Sequence, residues 1–182
     1  MKRTVLVVLG MLAVSTSAFA QATPETIDRA LAAAPRQMKE GAAVIKWKAD
    51  NAYETLKPGT NRMVCYDRSG EPGQQPFAVQ CTSVANLPRV AQNRKFEAMT
   101  DKTARQAALD AAEKDGTRVK PEYGSVWLTM NGADQARARI HTTIAVPGAT
   151  TQSTGLPDNN KQGGVWIMNA GTTTAHLMTP GS

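Results

Sequence analysis

In the last third of the chain, side-chain polarity flips at every second position. Four short runs do this: "SVWLTM" at Ser125–Met130, "ARARIHTTIAV" at Ala136–Val146, "GVWIM" at Gly164–Met168 and "TAHLMT" at Thr174–Thr179. Successive side chains of an extended strand point to opposite faces, so each run specifies a strand with two unlike sides. Asn131-Gly132 follows the first run and "NAGTT" follows the third, and both are turn signals. The first turn is expected to run on as far as Gln135. Two antiparallel hairpins result. Between them, Pro147–Gly164 is a long stretch with almost no apolar content. A loop of that length inside a domain is either functional or mobile.

Upstream the pattern is mixed. Thr23-Pro24-Glu25 opens a helix, with threonine as cap, proline in the first turn and glutamate at the positive end. Ile27, Ala30, Leu31 and Ala34 fall on one face, and Pro35 stops the run. In "AAVIKW", Ala43, Ile45 and Trp47 oppose Val44 and Lys46, which predicts a half-buried strand. "KPGTN" at Lys57–Asn61 is a turn, and "RMVCYD" after it a strand. "TDKTARQAALDAAEKDG" predicts a helix capped by Thr100, with Asp101 in its first turn, Ala104, Ala108, Leu109 and Ala112 inward, and Gly116 beyond its end. Helices and an antiparallel sheet in one chain of this length predict a single α+β domain.

The N-terminus reads as an export signal. Lys2 and Arg3 form a positive n-region, Thr4–Val14 an apolar segment, and Ala18, Phe19 and Ala20 a small-x-small cleavage pattern. The apolar segment is too short for a bilayer span, which needs about 20 residues. Residues 1–20 are therefore read as a cleaved signal peptide and residues 21–182 as the globular domain, with no membrane span after cleavage. The expected location is periplasmic or secreted. Cys65 and Cys81, the only cysteines, lie in the exported part, where the compartment is oxidising. A disulfide is expected between them, closing "YDRSGEPGQQPFAVQ" and stabilising the fold by about 3 kcal/mol in the chain-entropy model. A Cys-x-x-Cys metal or redox spacing is absent.

The formal net charge of +6 drops when Lys2 and Arg3 leave with the signal. The remaining basic residues are dispersed, without a dense block and without interleaved aromatics. Nucleic acid is not an expected partner. No phosphate-cradling glycine loop, Gly-x-Ser-x-Gly or His-Glu-x-x-His is present, so no cofactor is implied.

Several of these residues also resemble a known set of proteins. Val165-Trp166-Ile167-Met168, Gly171-Thr172 and Ala175-His176-Leu177-Met178 resemble the end of a family of small uncharacterised bacterial secreted proteins. "EGAAVIKW" at Glu40–Trp47, Cys65 with Pro72-Gly73, Pro76 and Cys81, and His141 in a strand running into "VPG" fit the same family. The resemblance implies an exported single domain and supplies no activity.

The alternation locates the candidate chemistry. Ile140, Thr142, Ile144 and Val146 share one face, so His141 points the other way with Arg139 and Thr143. Val126, Leu128 and Met130 oppose Trp127 and Thr129. Val165 and Ile167 oppose Trp166 and Met168, and Ala175 and Leu177 oppose His176 and Met178. If the four strands form one sheet, its aliphatic face packs on the helices. Its reverse then carries His141, His176, Met178, Met168, Trp127 and Trp166. Such a face fits structural rings covered by the long loop. It also fits a groove for a small molecule, peptide or cell-wall fragment, because tryptophan offers a large flat area at little entropy cost. His176-x-Met178 fits a copper site, since soft ligands favour monovalent copper. Two histidines would also serve a hydrolase as a general base, although the nearest acids in sequence, Asp134 and Asp158, lie in turns. The sequence therefore reads as an exported, non-enzymatic module for a small ligand or envelope component. A periplasmic copper binder and a histidine-dependent hydrolase are the alternatives.

Overall fold

The computed structural model describes residues 22–180, so the signal peptide assigned to residues 1–20 lies outside them. Helix α1 spans Pro24–Ala30, and the Thr23 hydroxyl caps it by accepting the Thr26 amide at 3.3 Å. A 3₁₀ turn, Leu31–Ala33, extends its apolar face, and the four-residue helix α2, Arg36–Lys39, follows Pro35. Four strands come next: β1 (Ala43–Trp47), β2 (Tyr53–Lys57), β3 (Met63–Asp67) and β4 (Phe77–Ser83). Helices α3 (Leu87–Glu97) and α4 (Lys102–Lys114) separate them from β5 (Val126–Gly132) and β6 (Arg139–Ala145). A single-turn helix α5 (Thr151–Thr154) precedes β7 (Trp166–Met168) and β8 (His176–Met178).

All eight strands join one sheet in the order β2-β1-β3-β4-β5-β6-β8-β7. Every neighbouring pair is antiparallel except β1 and β3. The fold is thus a one-domain α+β structure, as the sequence predicts, and both expected hairpins belong to its sheet. No helix among the described residues is long and apolar enough to cross a membrane.

The pairing register sorts side chains between the two faces. Cys65, Cys81, Leu128, Thr142, Ile144, Leu177 and Ile167 lie on one face. Under β1, β3, β4 and β5 this face is sealed by Ala30, Leu31, Ala33 and Ala34, which bury Val44, Phe77, Val79 and Leu128. Near β7 and β8 the long segment 147–164 takes over. Its Ala149 and Leu156 pack with Val146, Ile167, Ala175 and Leu177, and Pro157 accepts the Ile167 amide at 2.8 Å. Ile140, 48% exposed, lies outside both covers. The reverse face is covered at its other end, where Leu87 and Val90 of α3 bury Ile45, Val64 and Tyr66 with Trp127 at the margin.

Several expectations are corrected. Helices cover both faces, not the aliphatic one alone. Strand β1 is consequently buried on both sides, with Val44 and Ile45 in different clusters. The long segment packs on the aliphatic face through Ala149 and Leu156. The stretch between the cysteines is no loose loop, because Tyr66, Asp67 and Phe77–Gln80 belong to paired strands and only residues 68–76 turn. Cys65 and Cys81 are directly opposed partners on β3 and β4, bonded with a Cα–Cα distance of 4.1 Å. The cap of α4 is Asp101, not Thr100: its carboxylate accepts the Thr103 and Ala104 amides at 2.8 and 3.0 Å. Ala104 is exposed and Ala112 is the one buried residue of that helix. The first hairpin turn runs on to Ala138, past Gln135.

Candidate functional site

The register assembles the reverse face into cross-strand rows. Trp127 pairs with Thr143, Thr143 with Met178, and Met178 with Trp166, so one row crosses β5, β6, β8 and β7. The next row joins Ala145, His176 and Met168. On the other side of the Trp127 row, Thr129 pairs with His141. All six singled-out residues therefore share one face, and each is half-buried. A polar ladder runs on from Thr129 towards β3. The Tyr66 hydroxyl donates to Gln80 Oε1 at 2.7 Å, and Gln80 Nε2 donates to Thr129 Oγ1 at 3.0 Å. Tyr66 is fully buried, and that burial pushes its hydroxyl pKa far up, so it stays a neutral donor.

The two histidines do not meet. Ala145 is the β6 partner of His176, and His141 stands four positions away along that strand, about 13 Å at the strand rise. Among the described residues no carboxylate bonds either ring. Asp134 is engaged by Arg137 in the β5–β6 turn, whose hydrogen bonds hold its carboxyl below the ordinary value. Asp158 accepts from the Asn159 side-chain amide at 3.0 Å. His176 has one fixed contact: Nδ1 lies 2.7 Å from the Thr174 carbonyl oxygen. A carbonyl only accepts, so Nδ1 is the nitrogen that donates here and Nε2 is the one left to act as acceptor or ligand.

Trp127, Thr143 and His176 form the sheet side of a groove of about 150 Å³ whose other wall comes from Arg89 and Asn93 of α3 and from Pro121. Arg89 is 3% exposed. Its guanidinium donates to the Val119 carbonyl and to the hydroxyls of Thr173 and Thr174, at 3.1 and 2.9 Å for the latter two. Burial, with the neighbouring charge of Arg118, lowers its pKa to about 10, so it remains charged at neutral pH. Glu113 of α4 completes the network from behind, accepting from the hydroxyl and amide of Thr173 and from the Thr174 hydroxyl. Burial opposes ionisation of Glu113, yet these bonds hold its pKa below the ordinary value. Arg118 donates to Gln92 and Asn93 at 2.7 and 2.6 Å and stacks over Phe96 at 5.0 Å. Arg89 thus brings a buried positive charge to this wall of the groove, while Arg118 stands behind it with Glu113 and Glu97 nearby.

Of the residues read from the sequence, Trp127 and His176 line this groove. Met168, Met178 and Trp166 stand beside it on β7 and β8, and His141 lies away from it. Arg89, Asn93, Pro121 and Thr174 went unread. The one trace they left was arginine beside Leu87 and Val90 in a stretch otherwise too polar to announce a helix. No protein-family model, no curated protein and no solved structure matches the chain.

Proposed function

We propose that the protein is an exported, non-catalytic binding module, periplasmic or secreted, whose groove between α3 and the sheet takes a small planar anion. The n-region, apolar segment and Ala18-Phe19-Ala20 pattern support export. A buried disulfide supports it too, since such bonds persist in oxidising compartments. The same reading groups the chain with the small bacterial secreted proteins that its last strand resembles.

One observation carries the ligand class: an indole and an imidazole stand opposite the buried, charged guanidinium of Arg89. The indole offers a flat apolar wall and the Arg89 guanidinium favours a carboxylate. His176 Nε2 offers an acceptor for a ligand hydroxyl or amide. Drug-sized ligands fill pockets of about 300 Å³ or more, so this groove suits a molecule of one ring.

Tryptophan emission of residues 21–182 tests the reading against a panel of monocyclic carboxylates, their neutral amides, sugars and short peptides. A saturable change with a planar carboxylate is expected, with the amide at least about tenfold weaker, the equivalent of about 1.4 kcal/mol. Trp127→Phe should remove the signal change, and Thr143→Leu, which fills the groove, should weaken binding. Equal affinity for acid and amide, or no saturation with any carboxylate, would overturn it.

A further inference from the structure

We propose that the β7–β8 hairpin is a copper(I) site, formed by Nε2 of His176 and the thioether sulfurs of Met168 and Met178, with the Trp166 indole beside the ion. This inference shares His176 with the groove but does not rest on the groove reading. It rests on how two three-residue strands are paired. Met168 is directly opposite His176 and Trp166 is directly opposite Met178. These four side chains form one patch on one face, with directly opposed Cβ atoms about 5 Å apart. Met178 follows His176 by two positions, about 7 Å along the same strand. Methionine is unbranched and has three rotatable bonds, so both sulfurs can reach an ion held by the imidazole between them.

The donor chemistry selects the metal. Nδ1 of His176 donates to the Thr174 carbonyl, which leaves Nε2 as the ring nitrogen able to ligate. Metal-bound histidines are commonly oriented by such a second bond. No aspartate or glutamate occurs between Val165 and Thr179, and among the described residues no three of His, Cys, Asp or Glu gather as a metal site, so hard cations are not favoured here. Both cysteines are bridged and wholly buried, so no thiolate competes for a soft ion. A neutral set of one imidazole and two thioethers suits a soft monovalent ion with few ligands. Trp166 adds a ring face, which attracts a cation through its quadrupole. Location separates these methionines from the others on the sheet. Met63 and Met130 lie on the opposite face with Cys65, Cys81 and Leu128. The patch is half-buried throughout, so an ion would be shielded from water yet reachable.

The test is an anaerobic titration of residues 21–182 with copper(I) against a chromophoric chelator, and in parallel with silver(I), which needs no reductant. One ion per chain is expected, bound more tightly than about micromolar, a free energy of about −8 kcal/mol. Tryptophan emission should be quenched, and Trp166→Phe should abolish that quench. Met168→Leu with Met178→Leu conserves side-chain volume, so the melting temperature should hold while affinity falls by about 100-fold. His176→Ala should weaken binding at least as much. Binding weaker than micromolar, full affinity in the double leucine variant, or equal affinity for zinc would overturn the proposal. Groove ligands are separate probes, so a failure here leaves the carboxylate result untouched, and the reverse holds too.

Discussion

At the scale of single residues, the polar network behind the groove carries more consequence than any side chain the sequence advertises. Arg89 is buried and charged, and three acceptors satisfy it. Glu113 steadies two of those acceptors, and its pKa is held below the ordinary 4.5 by the threonine bonds. The folded protein therefore holds this proton less tightly than the unfolded chain. Its stabilisation is present above the unfolded pKa and is lost as pH falls through the folded one. Glu113→Gln should cost about 0.5–1 kcal/mol at pH 7, because solvent screens the carboxylate and the amide oxygen still accepts. The gap between variant and wild type should narrow towards pH 3. Urea unfolding at the two pH values measures this, and a gap that stays constant would contradict it. The chemistry of Trp127, Trp166 and the histidines was legible because period two needs no knowledge of the rest of the chain. Arg89 and Asn93 were not legible, because a polar residue on a polar helix acquires meaning only from what it faces.

At the scale of elements, legibility followed the contrast between apolar and polar positions. The four C-terminal strands alternate and were read. Strand β2 is an edge strand whose first three residues are exposed, and "YETLK" offers no buried face to read. Helix α3 buries Leu87, Arg89 and Val90 and little else, so its sequence lacks an apolar stripe. The β5–β6 hairpin shows a different limit. Asn131 and Gly132 have turn chemistry but sit inside β5, opposite Arg139 and Phe77. The glycine is needed for space: a Cβ on Gly132 would lie 2.7 Å from the Ala138 Cα. Gly132→Ala should therefore destabilise by about 1–3 kcal/mol through a forced backbone shift. Chemical denaturation reads that cost, and a neutral result would show that the turn yields freely. An exposed cap gives a smaller scale of effect, with Asp101→Ala expected to cost about 1 kcal/mol.

At the scale of the whole molecule, the disulfide and the two-sided cover decide cohesion. Cys65 and Cys81 tie β3 to β4 near the middle of the sheet, with both sulfurs sealed under the 3₁₀ turn and α1. Cys65→Ala with Cys81→Ala should cost about 3 kcal/mol, most of it through a less restricted unfolded chain. For a domain of this size that is a fall in melting temperature of roughly 6–12 °C. Circular dichroism and tryptophan emission should still report one shared transition, because the bridge links strands of a single sheet. Reductant alone should leave the bond intact below the melting temperature, since both cysteines are 0% exposed. Rapid reduction of the native protein would contradict this.

The sequence by itself determined which residues share a side of each strand, that the two cysteines could pair, and that helices and an antiparallel sheet coexist. These are local matters of period, charge and composition. Tertiary structure alone decided the register that sets Met168 beside His176 and keeps His141 away. It also decided which face each helix covers, and that α3 supplies the second wall of a groove. Those outcomes depend on pairings between distant segments. A one-residue slip would reverse them without changing any local pattern.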